Sequence, residues 1–380
     1  MALGKQYSGM WTLAQQFQAV GAGQWKGIVN DELYVWGKGD EGVLGLDSIE
    51  NRSSPVQIGT LTTWSQISAK TRHTLALKTD GTMWTWGDKD WGKLGDNTLI
   101  TRSSPVQIGT LTTWSKIAAG QLNSMAIKTD GTMWSWGYGT SSGDNTGITK
   151  SSPVQIGALT TWSKINFGLH AMAIKTDGTL WTFGYNANGN LGDNTVINRS
   201  SPVQIGSLTT WSSISSHNHS VALKTDGTMW VWGYNDKGQL GDNTRISRSS
   251  PVQVGALSSW SLIAGANYFT MAIKNDGTLW TWGTNQNGRL GDNTTVYRSS
   301  PIQVGALTTW SKVACADNAM ALKTDGTMWL WGKNFYGSLG DNGVHGDHKS
   351  SPIQIGTLTT WSQIATGSTG WSVAIAHEVT

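Results

Sequence analysis

Few residues of this 380-residue chain stand at spacings that could do chemistry. His217 and His219, at i and i+2 in a turn, could chelate a transition metal, and His345, Asp347 and His348 form a second grouping of that kind. For the i, i+2 imidazole pair no third ligand is evident. The recurrent Gly-Asp-Asn-Thr of Gly95–Thr98, Gly192–Thr195, Gly241–Thr244 and Gly291–Thr294 offers one Asp-Asn pair per loop, short of the several spaced oxygens that calcium requires. Asx-turn chemistry accounts for it better. No Ser-His-Asp arrangement, phosphate-binding loop or repeated carboxylate pair is present, so no catalytic residue, metal or cofactor is expected. What remains is a set of residues suited to gripping another molecule: Trp91, Tyr185, His217, His219, Tyr234, Tyr268, Phe269, Phe335, Tyr336 and Trp371. Aromatic anchors among polar loops are what binding faces use.

The elements that must position these residues are repeats. All seven prolines, Pro55, Pro105, Pro153, Pro202, Pro251, Pro301 and Pro352, fall in one motif, Ser-Ser-Pro-(Val/Ile)-Gln-(Ile/Val)-Gly. A tryptophan follows each at nearly fixed distance: Trp64, Trp114, Trp162, Trp211, Trp260, Trp310 and Trp361. Next comes Ala-(Leu/Ile)-Lys-Thr-Asp-Gly-Thr-(Met/Leu)-Trp-x-Trp-Gly, as in Ala76–Gly87. Each unit of about fifty residues reads as four short strands, A to D. Strand A is Trp64–Ser68 and strand B is Thr74–Lys78. Asp80-Gly81 marks a hairpin into strand C, Thr82–Trp86. Strand D is Pro55–Ile58 and its equivalents, and proline confines it to a sheet edge. Small Ala and Gly residues in A and B suit a crowded central axis. The expected fold is all-β, a seven-bladed β-propeller of four-stranded antiparallel blades.

Within strand C, Trp84 and Trp86 share one face and Met83 and Thr85 the other. The tryptophans are therefore expected to stack on the next blade, and truncating one should cost about 3–5 kcal/mol. Strand C occurs seven times, as Leu33–Trp36 and the copies ending at Trp86, Trp136, Phe183, Trp232, Trp282 and Trp331. Strands A and B occur eight times, since Phe17–Val20 with Gly27–Val29 imitates them and Trp361–Ala365 with Ser372–Ala376 repeats them. The C-terminal copy is expected to supply the inner strands of the blade that contains Tyr34 and Trp36. Pairing of N- and C-terminal strands would then close the ring over residues 26–380, leaving residues 1–25 as a docking or assembly tether.

The chain resembles the regulator of chromosome condensation repeat family. The resemblance is carried by Leu77–Gly87 (Leu-Lys-Thr-Asp-Gly-Thr-Met-Trp-x-Trp-Gly), Gly238–Asp242 (Gly-x-Leu-Gly-Asp) and Trp361–Ile364 (Trp-x-x-Ile), and it runs from about residue 17 to 376. It implies the propeller fold, while the family's functions include nucleotide exchange on small GTPases and β-lactamase inhibition. Two departures stand out: the third unit lacks two loop residues at Tyr138–Asp144, and the last complete unit carries Gly343–His348 in place of the usual Thr and short tail. The opening Leu3–Trp11 is similar to the starts of tail or surface proteins of marine phages.

In a meander, the A–B and C–D loops emerge on one face of the disc and the B–C and D–A loops on the other. The second face recurs almost unchanged, whereas the first differs from unit to unit and holds all ten candidates. A basic residue precedes each Ser-Ser-Pro (Arg52, Arg102, Lys150, Arg199, Arg248, Arg298, Lys349), and aspartate in the same loop is expected to neutralise it.

Charged residues make up 13% of the chain and its net charge is +3, which gives no case for nucleic-acid binding. Cys315 is the sole cysteine, excluding an intrachain disulfide. Neither an apolar secretory stretch within Met1–Gln24 nor a membrane-spanning run is visible, so no membrane insertion is expected. The leading expectation is a non-enzymatic phage virion component, in capsid decoration or a tail or fibre. It would be assembled as a homo-oligomer through its N-terminal segment and present the variable face to virion or surface proteins or a host glycan. It would sit on the virion surface or outside the cell. The alternative is a regulatory protein-binding propeller, an enzyme inhibitor or exchange-factor-like module, in the cytoplasm.

Overall fold

The computed structural model describes residues 29–256 and 258–379. The proposed tether at residues 1–25 and the strand read at Phe17–Val20 lie outside the described residues. Among the described residues, twenty-eight strands form seven four-stranded antiparallel sheets. Blade 1 begins with β1 (Val29–Gly37) and β2 (Arg52–Gln57). Blade 2 is β3 (Trp64–Lys70), β4 (His73–Lys78), β5 (Met83–Gly87) and β6 (Arg102–Gln107). Blade 3 is β7 (Trp114–Ala119), β8 (Asn123–Lys128), β9 (Met133–Gly137) and β10 (Lys150–Gln155). Blade 4 is β11 (Trp162–Phe167), β12 (His170–Lys175), β13 (Leu180–Gly184) and β14 (Arg199–Gln204). Blade 5 is β15 (Trp211–Ser216), β16 (His219–Lys224), β17 (Met229–Gly233) and β18 (Arg248–Gln253). Blade 6 is β19 (Trp260–Gly265), β20 (Phe269–Lys274), β21 (Leu279–Gly283) and β22 (Arg298–Gln303). Blade 7 is β23 (Trp310–Cys315), β24 (Asn318–Lys323), β25 (Met328–Gly332) and β26 (Lys349–Gln354). The chain ends with β27 (Trp361–Gly367) and β28 (Trp371–Val379).

The closing sheet has the order β2-β1-β28-β27, so the C-terminal copy supplies the inner strands of blade 1 as expected. β1 and β28 pair over nine residues, from Val29↔Val379 to Gly37↔Trp371. Val29 therefore belongs to this outer strand and is not the end of an extra strand B.

The repeat motif is held by side-chain hydrogen bonds that recur from blade to blade, although the buried indole N–H of each strand-A tryptophan has no partner among the described residues. The register slips by one at the serine after each strand-A tryptophan, and in blade 2 the Ser65 hydroxyl donates to the Leu77 carbonyl at 3.2 Å. Asp80 closes the hairpin by accepting from the Thr82 amide at 2.9 Å and the Thr82 hydroxyl at 2.7 Å. Thr82 Oγ1 accepts the Trp84 indole N–H at 2.9 Å. Lys78 Nζ sits 3.8 Å above the Trp84 ring and 5.1 Å from that of Trp64, a cation–π contact repeated in blades 2 to 7. Gly81, at φ +79°, lies beneath the D–A linker, where a Cβ would fall 2.1 Å from the Thr112 carbonyl. The constancy of this face is thus a demand of folding.

Seven apolar clusters fill the seven seams between neighbouring blades. In the seam between blades 2 and 3, Leu75, Leu77, Met83 and Ile108 meet Trp114, Ile117, Ala126 and Trp136. The direction of the strand-C tryptophans differs from expectation. Trp86 packs in the seam with the preceding blade, donating its indole N–H to the Val43 carbonyl at 3.0 Å, while Met83 faces the following one. Alternation separates two faces of a strand but does not say which neighbour each will meet.

Candidate protein-binding face

The loop face is built on stiff foundations. In blades 2 to 7 the C–D loop ends in an Asx turn, as where Asp96 Oδ1 accepts from the Thr98 amide at 3.0 Å while Asn97 holds φ +61°. The same aspartate pairs with the basic residue before Ser-Ser-Pro: Arg102–Asp96 is 2.7 Å, Arg199–Asp193 2.8 Å, Arg248–Asp242 3.0 Å and Arg298–Asp292 2.9 Å. Lys150 lies 3.9 Å from Asp144, whereas Lys349 pairs at 2.6 Å with Asp347 and not with its loop's Asx-turn aspartate, Asp341. Arg52 also departs from the pattern, because Leu46 occupies the aspartate position in its loop. Burial raises the Asp242 and Asp292 carboxyls, but hydrogen bonds from threonine, arginine and asparagine outweigh it and hold both below the ordinary range. Asn97 N donates to the Ser151 carbonyl of the next blade at 2.8 Å, so each loop is also tied to its neighbour.

On this base, four candidates stand exposed: Trp91 (48%), Tyr336 (40%), Tyr268 (37%) and Tyr185 (36%). Phe335 and Tyr234 are half-buried. Trp91 lies in the short turn Asp90–Gly92 at φ +63°, and Tyr336 holds φ +60° at the equivalent place in blade 7. Bulky residues rarely adopt this left-handed conformation. Asn287 occupies it in blade 6 at φ +66°. Trp91 sets its edge against Tyr138 of blade 3, with ring centroids 4.8 Å apart. Below it Asp88 holds Lys93 at 2.5 Å in a buried ion pair. Tyr336 receives Lys38 of blade 1 over its ring at 5.2 Å and has His345 at the same distance. Phe335 stacks on His345 at 4.7 Å and has His348 at 5.0 Å. Tyr234 and Tyr268 face each other at 6.2 Å, and a hydrogen bond with Asp236 pushes the Tyr234 phenol up to about 12.

Four candidates are not on this surface. His217, His219, Phe269 and Trp371 are fully buried. Strand B begins one residue earlier than its sequence suggests, so His219, Phe269 and Trp371 are strand residues directed into a seam. His219 Nε2 lies 2.7 Å from Thr270 Oγ1 of the next blade, and that hydroxyl donates to the Gln239 carbonyl at 2.8 Å. The Trp282 indole donates to the same carbonyl at 2.9 Å. His170, Ser220, Asn190 and Trp232 repeat the arrangement between blades 4 and 5, and His73, Ser124, Lys93 and Trp136 between blades 2 and 3. Because each hydroxyl gives its proton to a carbonyl, Nε2 is the donor and Nδ1 a buried lone pair. Burial lowers His170 and His219 to about 3, and drives His73 and His217 well below the ordinary imidazole value. These are latches between blades.

The suspected metal groupings are likewise committed. His345 Nδ1 accepts from the Tyr336 amide at 3.3 Å and His348 Nδ1 from the Asn334 amide at 2.9 Å. No cluster of three His, Cys, Asp or Glu suited to a metal occurs among the described residues. Sequence reasoning left out Tyr138, Lys38 and His345 as members of the aromatic groups. Tyr138 carried a usable signal, since it occupies the same place after Trp-Gly or Phe-Gly as Tyr185 and Tyr234.

No described helix is long and apolar enough to cross a membrane. No curated protein sequence matches the chain. Among solved structures, human WBSCR16 is 18% identical with a TM-score of 0.81, over 91% of this chain and 98% of that one. Prp20p from Saccharomyces cerevisiae, a protein with binding properties towards Gsp1p and histones, is 20% identical with a TM-score of 0.81 and 93% of each chain covered. Yeast RCC1 (Prp20) in its complex with Kap60 is 19% identical with a TM-score of 0.81, over 100% of this chain and 96% of that one. At such identities the likeness is one of fold. The regulator of chromosome condensation (RCC1) repeat profile matches residues 30–77, 80–127, 177–223, 226–273, 276–322 and 325–372, passing over the unit with the shortened loop. With most of its length matched and the ring closed as the repeat demands, the chain belongs to the regulator of chromosome condensation (RCC1) repeat family.

Proposed function

We propose that this propeller is a non-enzymatic, regulatory protein-binding module that engages its partner through the loop face around Trp91 and Tyr336. The observation that carries the reading is the pairing of exposure with strain. Two large aromatic side chains stand in solvent on backbone conformations that asparagine or glycine would fill at lower cost. Strained exposed aromatics on a rigid scaffold are pre-organised anchors, and their ordering cost is met before a partner arrives. Tyr185, Tyr234, Tyr268 and Phe335 extend the face around the ring. The interactions of Prp20p with Gsp1p and histones, and of yeast RCC1 with Kap60, are protein–protein associations of the same general kind. The virion reading rested on Leu3–Trp11, outside the described residues, and the relatives named above give it no support.

The test compares the full chain with the Trp91→Asn, Tyr336→Asn double variant, each immobilised and exposed to a purified small GTPase, to core histones and to cell extract. A protein retained by the parent and reduced at least about tenfold on the variant is the expected result. Equal retention of every bound protein by both would refute the reading.

A further inference from the structure

The seven strands that line the axis carry four lysines, Lys70, Lys116, Lys164 and Lys312, and no acidic residue. Lys116, Lys164 and Lys312 stand at the third strand position, exposed at the mouth on the constant face. Lys164 and Lys312 lean along this rim, donating to the Ser212 and Ser362 carbonyls of the next blade. The hairpin carboxylates on that face are committed elsewhere, as Asp80 is to Thr82. Four residues further along, roughly 13 Å at strand rise, Lys70 lines an axial cavity of about 190 Å³ together with Ser68, Asn166, Ser215, Cys315 and Thr366.

Lys70 is the sole charged residue of that lining and has no ion pair or hydrogen bond among the described residues. Its surroundings cannot supply a counter-charge. Burial pushes the Cys315 thiol up to about 12, so it is a neutral thiol, and burial likewise keeps His217 neutral. A second feature of the cavity is independent of charge. Strand-A side chains of one blade cap the axial amides of the next: Ser68 Oγ accepts from the Ala119 amide at 2.8 Å, Asn166 Oδ1 from Ser216 at 2.8 Å and Ser215 Oγ from Gly265 at 2.8 Å. In blades 3, 6, 7 and 1 the capping position is alanine, Ala118, Ala264, Ala314 and Ala365. The corresponding amides of Phe167, Cys315, Thr366 and Ala69 therefore lack this acceptor, and all four residues line the same cavity as Lys70.

We propose that the axial cavity is an oxyanion site, taking a phosphate group through the Lys70 ammonium and the uncapped amides of Ala69, Cys315 and Thr366. An ammonium with backbone amides beside it is the donor set that phosphate selects. The rim lysines gather the anion at the mouth. The site stands apart from the loop-face reading and does not need a protein partner.

The probe is inorganic phosphate, titrated calorimetrically into the full chain and followed by Tm, against chloride at equal ionic strength. Saturable binding with a rise in Tm is expected. Lys70→Ala, which installs the residue that blades 6 and 7 carry as Ala266 and Ala316, should lose at least about tenfold in affinity. Ala365→Ser should weaken binding without altering charge, because it offers Ala69 the cap that Ser68 offers Ala119. Changing Lys116, Lys164 and Lys312 together to serine, the residue at Ser213, should flatten the salt dependence while keeping the stoichiometry. Parent protein with no phosphate-specific effect, or Lys70→Ala binding as the parent does, overturns the proposal.

Discussion

His217 reaches across the ring axis to Ser368, with Nε2 3.1 Å from Oγ, and so joins blade 5 to blade 1. It can do so because the equivalent positions in other blades are small: Gly120, Gly168, Ala266, Ala316 and Gly367. Lys70 is the other large residue at this level. Beside the bridge, Thr369 Oγ1 donates to the Thr71 carbonyl of blade 2 at 2.9 Å. The A–B turns thus close over the axis, and the blade made from both chain ends is fastened from the far side as well as along its edges.

The latch between blades 5 and 6 can be tested against a natural apolar version of itself. His219 faces Thr270, whereas one seam further on Phe269 and Ala319 occupy the same two places. His219→Ala alone should cost about 1–3 kcal/mol, since it leaves the buried hydroxyl without its donor. The double variant His219→Phe, Thr270→Ala should be more stable than the sum of its single variants by about 1 kcal/mol or more. Urea denaturation of the four proteins gives the coupling; strict additivity would show that the two side chains do not act as a pair.

The same histidines predict an acid limb of stability. The folded values of about 3 for His170 and His219 lie below the ordinary 6.5, so below that ordinary value the unfolded chain binds protons that the native state refuses. Their contribution is complete above about pH 6.5 and is lost as pH falls towards 3, at about 1.4 kcal/mol per pH unit for each histidine. Thr82 hydrogen bonds lower Asp80, and protonation of such turn carboxylates weakens the fold only further into acid. Urea midpoints between pH 7 and 4.5 should therefore slope, and the slope should shrink in His219→Phe, Thr270→Ala. An unchanged slope would separate the latch from the acid limb.

How much of this was legible follows from what repetition encodes. Blade number, the proline edge and the closing copy are periodic facts, and the period survives in Pro55 to Pro352 and in Trp64 to Trp361. The seam facing of Trp86 is not periodic information, since alternation leaves two neighbours to choose from. The histidines were misplaced because the turn before strand B is one residue shorter than polarity suggests, and a buried imidazole looks like a loop residue until its acceptor is known. A partial signal was present: each of His73, His170 and His219 is matched by Ser or Thr in the next unit (Ser124, Ser220, Thr270), while Phe269 is matched by Ala319.

Removal of residues 359–380 should abolish the compact ring, because it deletes β27 and β28 and strips two seams at once. The cluster between blades 1 and 2 would lose Trp371, Val373 and Ile375, and that between blades 7 and 1 would lose Trp361, Ala374 and Ala376. β1 would also lose its nine-residue pairing and present a bare edge. Size-exclusion chromatography should show aggregation or an expanded chain. A truncated monomer of compact size and cooperative melting would mean that the clasp is dispensable.

Trp91 and Tyr336 separate function from stability in opposite directions, which makes them the sharpest test of the loop face. Asparagine tolerates the left-handed backbone and already occupies it at Asn287, so Trp91→Asn relieves strain of about 1 kcal/mol. It also removes the edge contact with Tyr138, about 0.5–1.5 kcal/mol, leaving a net change within about 1 kcal/mol. Tyr336→Asn gives up the contacts with Lys38 and His345 for a similar relief, with the same small balance. If the aromatics were retained for packing, each variant would unfold at clearly lower urea and bind as before. If they are anchors, the melting curves will nearly superimpose on the parent's, and the affinity for the captured protein will fall by about tenfold or more. Carrying out denaturation and binding on the same preparations decides between these outcomes, because a loss of fold would lower both readouts together.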